Sequence, residues 1–375
     1  MDKKFKPPTM SNLSILINFK IGVRCRTAAD VVDTSGRKCN PKLALTRLST
    51  QGEIMKMGFK EVAVIGAGTM GHGIGLLFAL GGCTVRLVDL SQDRLGLAMR
   101  LIESHLTGLK LHREYGVEAD AVLSRIKPEQ GLAESLPEPD LIVEAVVEKA
   151  EAKRELFHQL GRSIGPRTLV ASTTSYMDVF TLAPDDLQSR LLIAHFYNPP
   201  YIIPLVELVP GPRTDPAVVA AVRNFMENLK MTCITMKKYI PGFIINRLQR
   251  ALGRELFHLI DTGVADPAEI DRAAKASLAI RLPVMGVVAR YDFAGLDATL
   301  NNIKGEPINL ASGSDLSPTL ERLAGEGHYG IKTGRGFFDW SGRDLKEVLQ
   351  ERDLRLLQVR RLMQEWTDQD ARKGP

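Results

Sequence analysis

Residues 61–74 read Glu-Val-Ala-Val-Ile-Gly-Ala-Gly-Thr-Met-Gly-His-Gly-Ile. A short β-branched, apolar run ends abruptly at three glycines with G-x-G-x-x-G spacing, and an apolar pattern with helical spacing follows. In such a strand-turn-helix unit the glycines permit a tight turn, close approach of a pyrophosphate and close packing of helix on strand. The helix N-terminus adds unpaired N–H groups and a positive dipole end, which favour an anion. The predicted dinucleotide contacts are Gly66, Gly68, Thr69, Met70 and Gly71.

A second apolar run, Thr84–Val88, ends in an acidic residue, Asp89. Asp89 lies 89 − 68 = 21 residues beyond Gly68, where a carboxylate accepts hydrogen bonds from an adenosine ribose. A carboxylate there also repels a 2′-phosphate, so the sequence favours NAD over NADP. The glycines alone would also suit a turn or a helix cap. With strand, glycines, helix, second strand and acid in order, they predict dinucleotide binding.

The basic charge of the chain is concentrated at its start. The 375 residues, enough for two domains with buried cores, carry a net charge of +5. Residues 1–56 hold 11 Lys and Arg against 4 Asp and Glu, which leaves 38 of the 49 basic and 40 of the 44 acidic residues for the rest. The main part of the chain is therefore slightly acidic, and no nucleic-acid partner is predicted.

Cysteine spacing and hydropathy exclude further classes of protein. Cys25, Cys39, Cys83 and Cys233 show no spacing typical of a metal site, so no metal is predicted. No uninterrupted apolar stretch reaches the roughly 18 residues that cross a bilayer, so no membrane partner is expected. Unpatterned cysteines fit a reducing compartment better than a disulfide framework, and we expect a cytoplasmic protein.

Residues 1–57 form a basic leader without a persistent helical stripe. Their composition is compatible with an organelle transit peptide, although four acidic residues count against it. A translation start placed too early is another interpretation, with Met55 or Met57 as the working start. We expect a disordered or spurious leader.

Beyond the leader, the apolar patterns indicate two domains. Strand and helix patterns alternate over residues 58–238, which predicts an α/β Rossmann-type domain with a doubly wound, mainly parallel sheet. Helical patterns then prevail over residues 239–340, among them Pro283–Arg290, and predict an all-α C-terminal domain. Residues 341–375 are predicted to hold a charged terminal helix.

Polar residues near three strand ends are candidates for chemistry, because ligands of doubly wound sheets bind at the carboxyl ends of strands. Ser175 follows one strand, His195 follows the next, and Glu207 lies inside the apolar strand after that. A charge within an apolar strand is costly unless it is paired, and the neighbouring histidine is the natural partner. An imidazole accepts an alcohol proton near neutral pH, while a carboxylate on its other nitrogen fixes the tautomer.

Five motifs occur in order within residues 58–340. They are G-A-G-x-M-G-x-G-I from Gly66, E-A-V-V-E from Glu144, A-S-x-T-S from Ala171, H-F-x-N-P from His195 and P-G-F-I-x-N-R from Pro241. Together they resemble the NAD-dependent 3-hydroxyacyl-CoA dehydrogenases, and the set is far more specific than any single motif. The resemblance implies NAD as cofactor, an acyl-CoA substrate, a homodimer formed through the helical domain and a role in fatty acid metabolism.

The resemblance also implies a role for each matching residue. His195 would be the general base, and Glu207 would be its paired carboxylate. Ser175 would hydrogen-bond the substrate oxygen, with Asn246 of the second domain beside it. The residues that would line the cofactor cleft are Glu144, Glu148 and Lys153.

Departures from the family pattern leave the substrate open. Thr173 replaces the usual Asn of A-S-N-T-S, while the double proline after Asn198 and the segment 329–337 look more like gulonate, carnitine and pyridine-carboxylate dehydrogenases or lens λ-crystallin. The resemblance implies oxidation of a 3-hydroxyacyl-CoA, such as 3-hydroxybutyryl-CoA. A dehydrogenase of a small non-CoA hydroxy acid or aldehyde is the first alternative. A non-catalytic, crystallin-like NAD-binding protein is the second.

Overall fold

The structure is a computed structural model that describes residues 24–25, 31–32, 58–111, 118–132, 138–305, 308, 310–312 and 315–373. The predictions for the leader lie outside the described residues, apart from the backbone of a short antiparallel pair formed by Arg24–Cys25 and Val31–Val32.

An eight-stranded sheet forms the centre of the fold. Its strands are β1 (Glu61–Ile65), β2 (Thr84–Asp89), β3 (Ile126–Gln130), β4 (Leu141–Glu144), β5 (Leu169–Ser172), β6 (Leu191–Phe196), β7 (Leu205–Pro210) and β8 (Thr232–Thr235). Their spatial order is β8-β7-β6-β5-β4-β1-β2-β3. Neighbours pair in parallel except β6 and β7, which are antiparallel. The predicted mainly parallel sheet is confirmed.

Helices cover both faces of this sheet. They are α1 (Gly71–Leu80), α2 (Gln92–Leu111), α3 (Ala119–Leu123), α4 (Ala150–Ser163) and α5 (Pro216–Asn228). Successive side chains of a strand point to opposite faces. Val62 and Val64 of β1 accordingly join one hydrophobic cluster, and Ala63 and Ile65 join the other. Burial on both faces explains why the central strands read as nearly continuous apolar runs.

The described residues from Ile245 onwards are mainly helical, as predicted. The helices are α6 (Ile245–Asp261), α7 (Pro267–Ala276), α8 (Leu278–Met285), α9 (Ala289–Ala294), α10 (Leu296–Lys304), α11 (Pro318–Gly325) and α12 (Leu345–Lys373). The prediction of one helical segment over Pro283–Arg290 is wrong, because α8 ends at Met285 and α9 begins at Ala289. Pro283 lies inside α8, and Gly286 ends that helix with a left-handed backbone, φ 75°.

The terminal helix α12 returns to the sheet domain and packs near α2. Its Leu357 is buried in the larger hydrophobic cluster, and its Asp353 accepts a hydrogen bond from the hydroxyl of Tyr201 at 3.0 Å. Among the helices of the described segments, none has both the length and the apolar character that a bilayer crossing requires.

Candidate active site

A groove of about 1030 Å³ opens at the carboxyl ends of β1, β2 and β4. Gly66 lines its floor, and Gly71 packs against Gly66. A Cβ on Gly66 would meet the Ala145 carbonyl oxygen at 2.4 Å, and a Cβ on Gly71 would meet the Gly66 oxygen at 1.7 Å. Gly68 differs, because a Cβ there would meet no protein atom within 4 Å and would project into open space. The residues of the glycine-rich turn that line the groove are Gly66, Gly68, Thr69 and Met70.

Asp89 lies on the groove wall, where the glycine-rich turn holds its carboxylate. The backbone N–H of Ala67 donates to Oδ2 at 2.8 Å, and that of Ser91 donates to Oδ1 at 3.0 Å. A carboxylate has further lone pairs for hydroxyl donors. The open cradle at Gly68 and this acidic wall together fit the pyrophosphate and ribose of NAD.

Glu144 and Lys153 lie beneath the groove rather than on its wall. Both side chains are fully buried, and Lys153 Nζ lies 2.7 Å from Glu144 Oε1. The Ser172 hydroxyl donates to Glu144 Oε2 at 2.5 Å, so both carboxylate oxygens are satisfied. Lys153 Nζ also lies 3.1 Å from Glu148 Oε2 and so links the buried pair to the wall.

Glu148 does lie on the groove wall and holds the segment after β5. It accepts hydrogen bonds from the Thr174 hydroxyl and from the Ser175 backbone N–H, the latter at 3.0 Å. Burial acts to raise the pKa of Glu148, but the Thr174 hydrogen bond and the charge of Lys153 outweigh it and lower the pKa. Glu148 therefore stays ionised and fixes Ser175 against α4.

His195 and Glu207 face each other across the antiparallel strands β6 and β7. His195 Nδ1 lies 3.0 Å from Glu207 Oε2, and both side chains are buried. An ionised carboxylate only accepts hydrogen bonds, so Nδ1 carries the proton and Nε2 keeps its lone pair. This tautomer leaves Nε2 as the basic atom.

Two further side chains converge on His195 Nε2. Ser175 Oγ lies 3.2 Å from this nitrogen, and Asn246 Nδ2 at the start of α6 lies 3.5 Å from it. Ser175 also lines the groove, so the basic nitrogen stands beside the groove wall. Ser175 and Asn246 thus meet at Nε2 of His195, while Glu207 holds the opposite ring nitrogen, and a hydroxyl placed at Nε2 could lose its proton.

Glu207 is held in its ionised form by four donors. Burial acts to raise its pKa, but hydrogen bonds to the carboxylate outweigh burial and lower the pKa. The donors are His195, the Tyr197 hydroxyl and the backbone N–H groups of Ile244 and Ile245. The carboxylate therefore connects His195 on β6 to the start of α6.

Sequence reasoning missed Tyr197 and Thr174, which donate hydrogen bonds to Glu207 and Glu148 respectively. Tyr197 could have been found, because residues i and i+2 along an extended segment share a face and His195 lies two residues before it. Thr174 is part of the A-S-x-T-S motif, but the motif does not show its contact with Glu148, which depends on how the segments after β4 and β5 pack.

Two family models match almost all of the chain after the leader. The NAD-binding domain of 3-hydroxyacyl-CoA dehydrogenase matches residues 61–239, and the C-terminal domain of 3-hydroxyacyl-CoA dehydrogenase matches residues 242–340. The predicted resemblance therefore extends beyond the five motifs to both domains of the chain.

Individual relatives differ in their substrates. A 3-hydroxybutyryl-CoA dehydrogenase of Bradyrhizobium diazoefficiens is 36% identical over 76% of this chain and 96% of its own length. A 5-formyl-3-hydroxy-2-methylpyridine 4-carboxylate 5-dehydrogenase of Mesorhizobium japonicum is 29% identical over 81% of this chain and 98% of its own length. A solved structure of an NAD⁺-dependent enzyme with that pyridine-carboxylate activity covers 82% of this chain and 99% of its own, with 28% identity and a TM-score of 0.73.

The family matches, the dinucleotide groove and the fold agree. Relatives at more than 30% identity align with this chain over more than nine-tenths of their own length. We conclude that this chain belongs to the 3-hydroxyacyl-CoA dehydrogenase family and is an NAD-dependent oxidoreductase acting on hydroxyl groups.

Proposed function

We propose that the protein oxidises the hydroxyl of a 3-hydroxyacyl-CoA, such as 3-hydroxybutyryl-CoA, to the 3-oxo compound. The observation that carries the proposal is the convergence of Ser175 and Asn246 on His195 Nε2, beside the NAD groove. The 36% identity to a 3-hydroxybutyryl-CoA dehydrogenase supports the substrate class.

In this proposal His195 is the general base. Its Nε2 accepts the substrate hydroxyl proton, while the Ser175 hydroxyl and the Asn246 amide hold the substrate oxygen against it. Glu207 stabilises the imidazolium that forms. Bound NAD supplies the acceptor for the hydride that leaves the same carbon.

The cofactor contacts form a second part of the proposal. The turn from Gly66 to Gly71 would hold the pyrophosphate, and Asp89 would accept hydrogen bonds from the ribose. Glu148 would border the nicotinamide end of the groove, because it also holds Ser175. Glu144 and Lys153 would act from beneath, by keeping Glu148 in place.

Replacement of the proposed base tests the mechanism. His195→Ala should lower turnover of 3-hydroxybutyryl-CoA by around 10²–10⁴, while NAD binding persists because the glycine-rich turn is untouched. NADH absorbance measures turnover, and cofactor titration measures binding. His158→Ala, which removes an exposed imidazole on α4, is the matched control and should retain activity. Normal turnover by His195→Ala would end the assignment.

A homodimer formed through the helical domain belongs to the same proposal. No side chain of α6 to α10 is buried in the single chain, although these helices carry many apolar residues. A second copy of the chain would cover that apolar surface.

A cytoplasmic location is likewise proposed, and the buried, free thiols of Cys83 and Cys233 support it.

A second candidate substrate is a compact hydroxy acid or aldehyde that carries a carboxylate. Arg250 lies one helical turn beyond Asn246 on α6 and is largely exposed, with Nε 2.6 Å from Asp315 Oδ2. A guanidinium binds a carboxylate through two parallel hydrogen bonds, so Arg250 could exchange Asp315 for a substrate carboxylate. The pyridine-carboxylate dehydrogenase of Mesorhizobium japonicum is a relative with such a substrate.

A substrate panel separates the two candidates. NADH formation from 3-hydroxybutyryl-CoA is compared with that from free 3-hydroxybutyrate and other small hydroxy acids.

If the compact acid is the substrate, Arg250→Gln should raise its KM about tenfold or more. The control Arg272→Gln changes an exposed arginine on α7 and should leave KM unaltered. Exclusive turnover of the CoA ester would reject this candidate. Absence of NADH from every substrate would support a non-catalytic, crystallin-like protein instead.

A further inference from the structure

Tyr197 occupies the variable position of the H-F-x-N-P motif and contacts the proposed catalytic pair. Its hydroxyl donates to Glu207 Oε2 at 2.7 Å, and the same oxygen accepts from His195 Nδ1 at 3.0 Å. The Tyr197 ring also meets the imidazole of His195 edge-on, with centroids 4.7 Å apart and planes at 75°. The phenol and the imidazole therefore share one acceptor atom.

The other oxygen of Glu207 faces the helical domain. Its Oε1 accepts the backbone N–H groups of Ile244 at 2.9 Å and Ile245 at 3.2 Å, where α6 begins. The next residue is Asn246, whose amide reaches His195 Nε2 at 3.5 Å. The orientation of the Glu207 carboxylate thus affects both nitrogens of the imidazole, one directly and one through α6.

Tyr197 is well suited to hold that orientation. Burial and the neighbouring Glu207 charge raise its pKa, so the phenol keeps its proton and acts as a donor to Glu207. A neutral donor at Oε2 also draws part of the carboxylate charge to itself, so that less of it acts on His195. A weaker pull on Nδ1 makes a less basic Nε2.

We propose that Tyr197 is a positioning residue of the reaction, which fixes the Glu207 carboxylate between His195 and the first turn of α6 and moderates its attraction for the imidazole. The inference rests on the proposed role of His195 as base. The five family motifs assign no function to this position. A phenylalanine there would keep the ring but would lack the hydroxyl that donates to Glu207.

The variant Tyr197→Phe removes the hydroxyl and keeps the ring. We expect kcat to fall about tenfold, because a hydrogen bond to a charged group is lost from the site. We also expect the acid limb of kcat/KM to move to higher pH by about half a unit, since Glu207 then attracts the protonated imidazole more strongly. The affinity for NAD should be unchanged.

Tyr239→Phe is the matched control, because it also loses one hydroxyl hydrogen bond near the site. The Tyr239 hydroxyl donates to the Tyr176 carbonyl at 2.5 Å and its ring meets Phe243 edge-on, but the hydroxyl does not bond to Glu207. The acid limb of this variant should stay in place. An equal shift in both variants, or no shift in Tyr197→Phe, would overturn the inference.

A double-mutant cycle tests whether Tyr197 acts through Glu207. In the Glu207→Gln background, Tyr197→Phe should no longer move the acid limb, because the charge that it moderates is gone. A shift that persists there would reject the proposed route. Thermal unfolding of each variant accompanies the cycle, since a purely structural role would lower Tm without moving the pH profile. If His195→Ala is inactive but Tyr197→Phe behaves as wild type, only this inference fails and the proposed function stands.

Discussion

The sheet domain and the helices that follow it bury their side chains in opposite ways. All six residues of β6 are buried, and so is most of α1. None of the side chains in α6 to α10 is buried in the single chain, and Leu252 and Phe293 are 60% and 76% exposed. The sheet domain therefore has a core of its own, whereas the helices need a second surface for theirs.

The largest effect is expected from charges placed on the exposed apolar surface of the helices. If the proposed homodimer uses this surface, the double variant Leu252→Glu/Phe293→Glu should abolish dimerisation, because four carboxylates per dimer would lie in the interface. Turnover should fall with it, since Asn246 lies on α6, one of the helices that the proposed interface would support. Sedimentation gives the mass of the particle, and NADH absorbance gives the activity.

A matched change in the sheet domain sharpens this result. Leu97→Glu introduces the same charge at a half-exposed leucine of α2, and this variant should keep the mass and activity of the unaltered protein. If the double variant remained dimeric and active, the helices would not use this surface, and the contrast with the sheet domain would need another explanation.

A smaller effect, confined to the sheet domain, is expected at the buried ion pair. Lys153→Ala leaves the fully buried Glu144 without its cation, and we expect the free energy of unfolding to fall by about 3–5 kcal/mol. In the helices, Lys275→Ala breaks the exposed pair with Asp271, and it should cost about 0.5 kcal/mol or less. Urea unfolding measures both variants, and similar losses would contradict the contrast in burial.

The same contrast governs what could be predicted from the sequence. The β1-α1-β2 unit could be predicted from local patterns. The glycine spacing and the apolar runs of β-branched residues determine the turn and the strands through residues only a few positions apart. The contact of His195 with Glu207 also follows, because a lone charge in the apolar β7 needs a partner on the next strand. Alternation of strands and helices was sufficient for the fold class.

Features set by distant packing could not be predicted in this way. Glu144 and Glu148 look alike in the motif E-A-V-V-E, yet Glu144 ends β4 inside the core and Glu148 lies on the groove wall. The edge strands β3 and β8 have weak apolar patterns, because residues at an edge are partly exposed. The boundary between the domains at residues 238 and 239 stays a prediction.

The terminal helix α12 follows the exposed helices in sequence but packs with the sheet domain. The pKa of His105 depends on that packing. The His105 ring on α2 stacks on His72, with ring centroids 5.5 Å apart, and lies tilted against Tyr201, with centroids 4.9 Å apart. Burial is the main cause that lowers the pKa of His105 to about 4, and His72 and Arg352 add to it against the opposing charge of Asp353.

An effect smaller than that of Lys153→Ala should be a pH dependence of stability that belongs to His105. The unfolded chain protonates this histidine near pH 6.5, whereas the folded protein keeps it neutral down to about pH 4. Its contribution to stability is fully present above pH 6.5 and is lost as the pH falls towards 4. Between pH 7.5 and 4.5, His105→Phe should lose about 2 kcal/mol less free energy of unfolding than the unaltered protein. Equal losses in both proteins would mean that solvent reaches His105, and that α12 does not cover the sheet domain at this point.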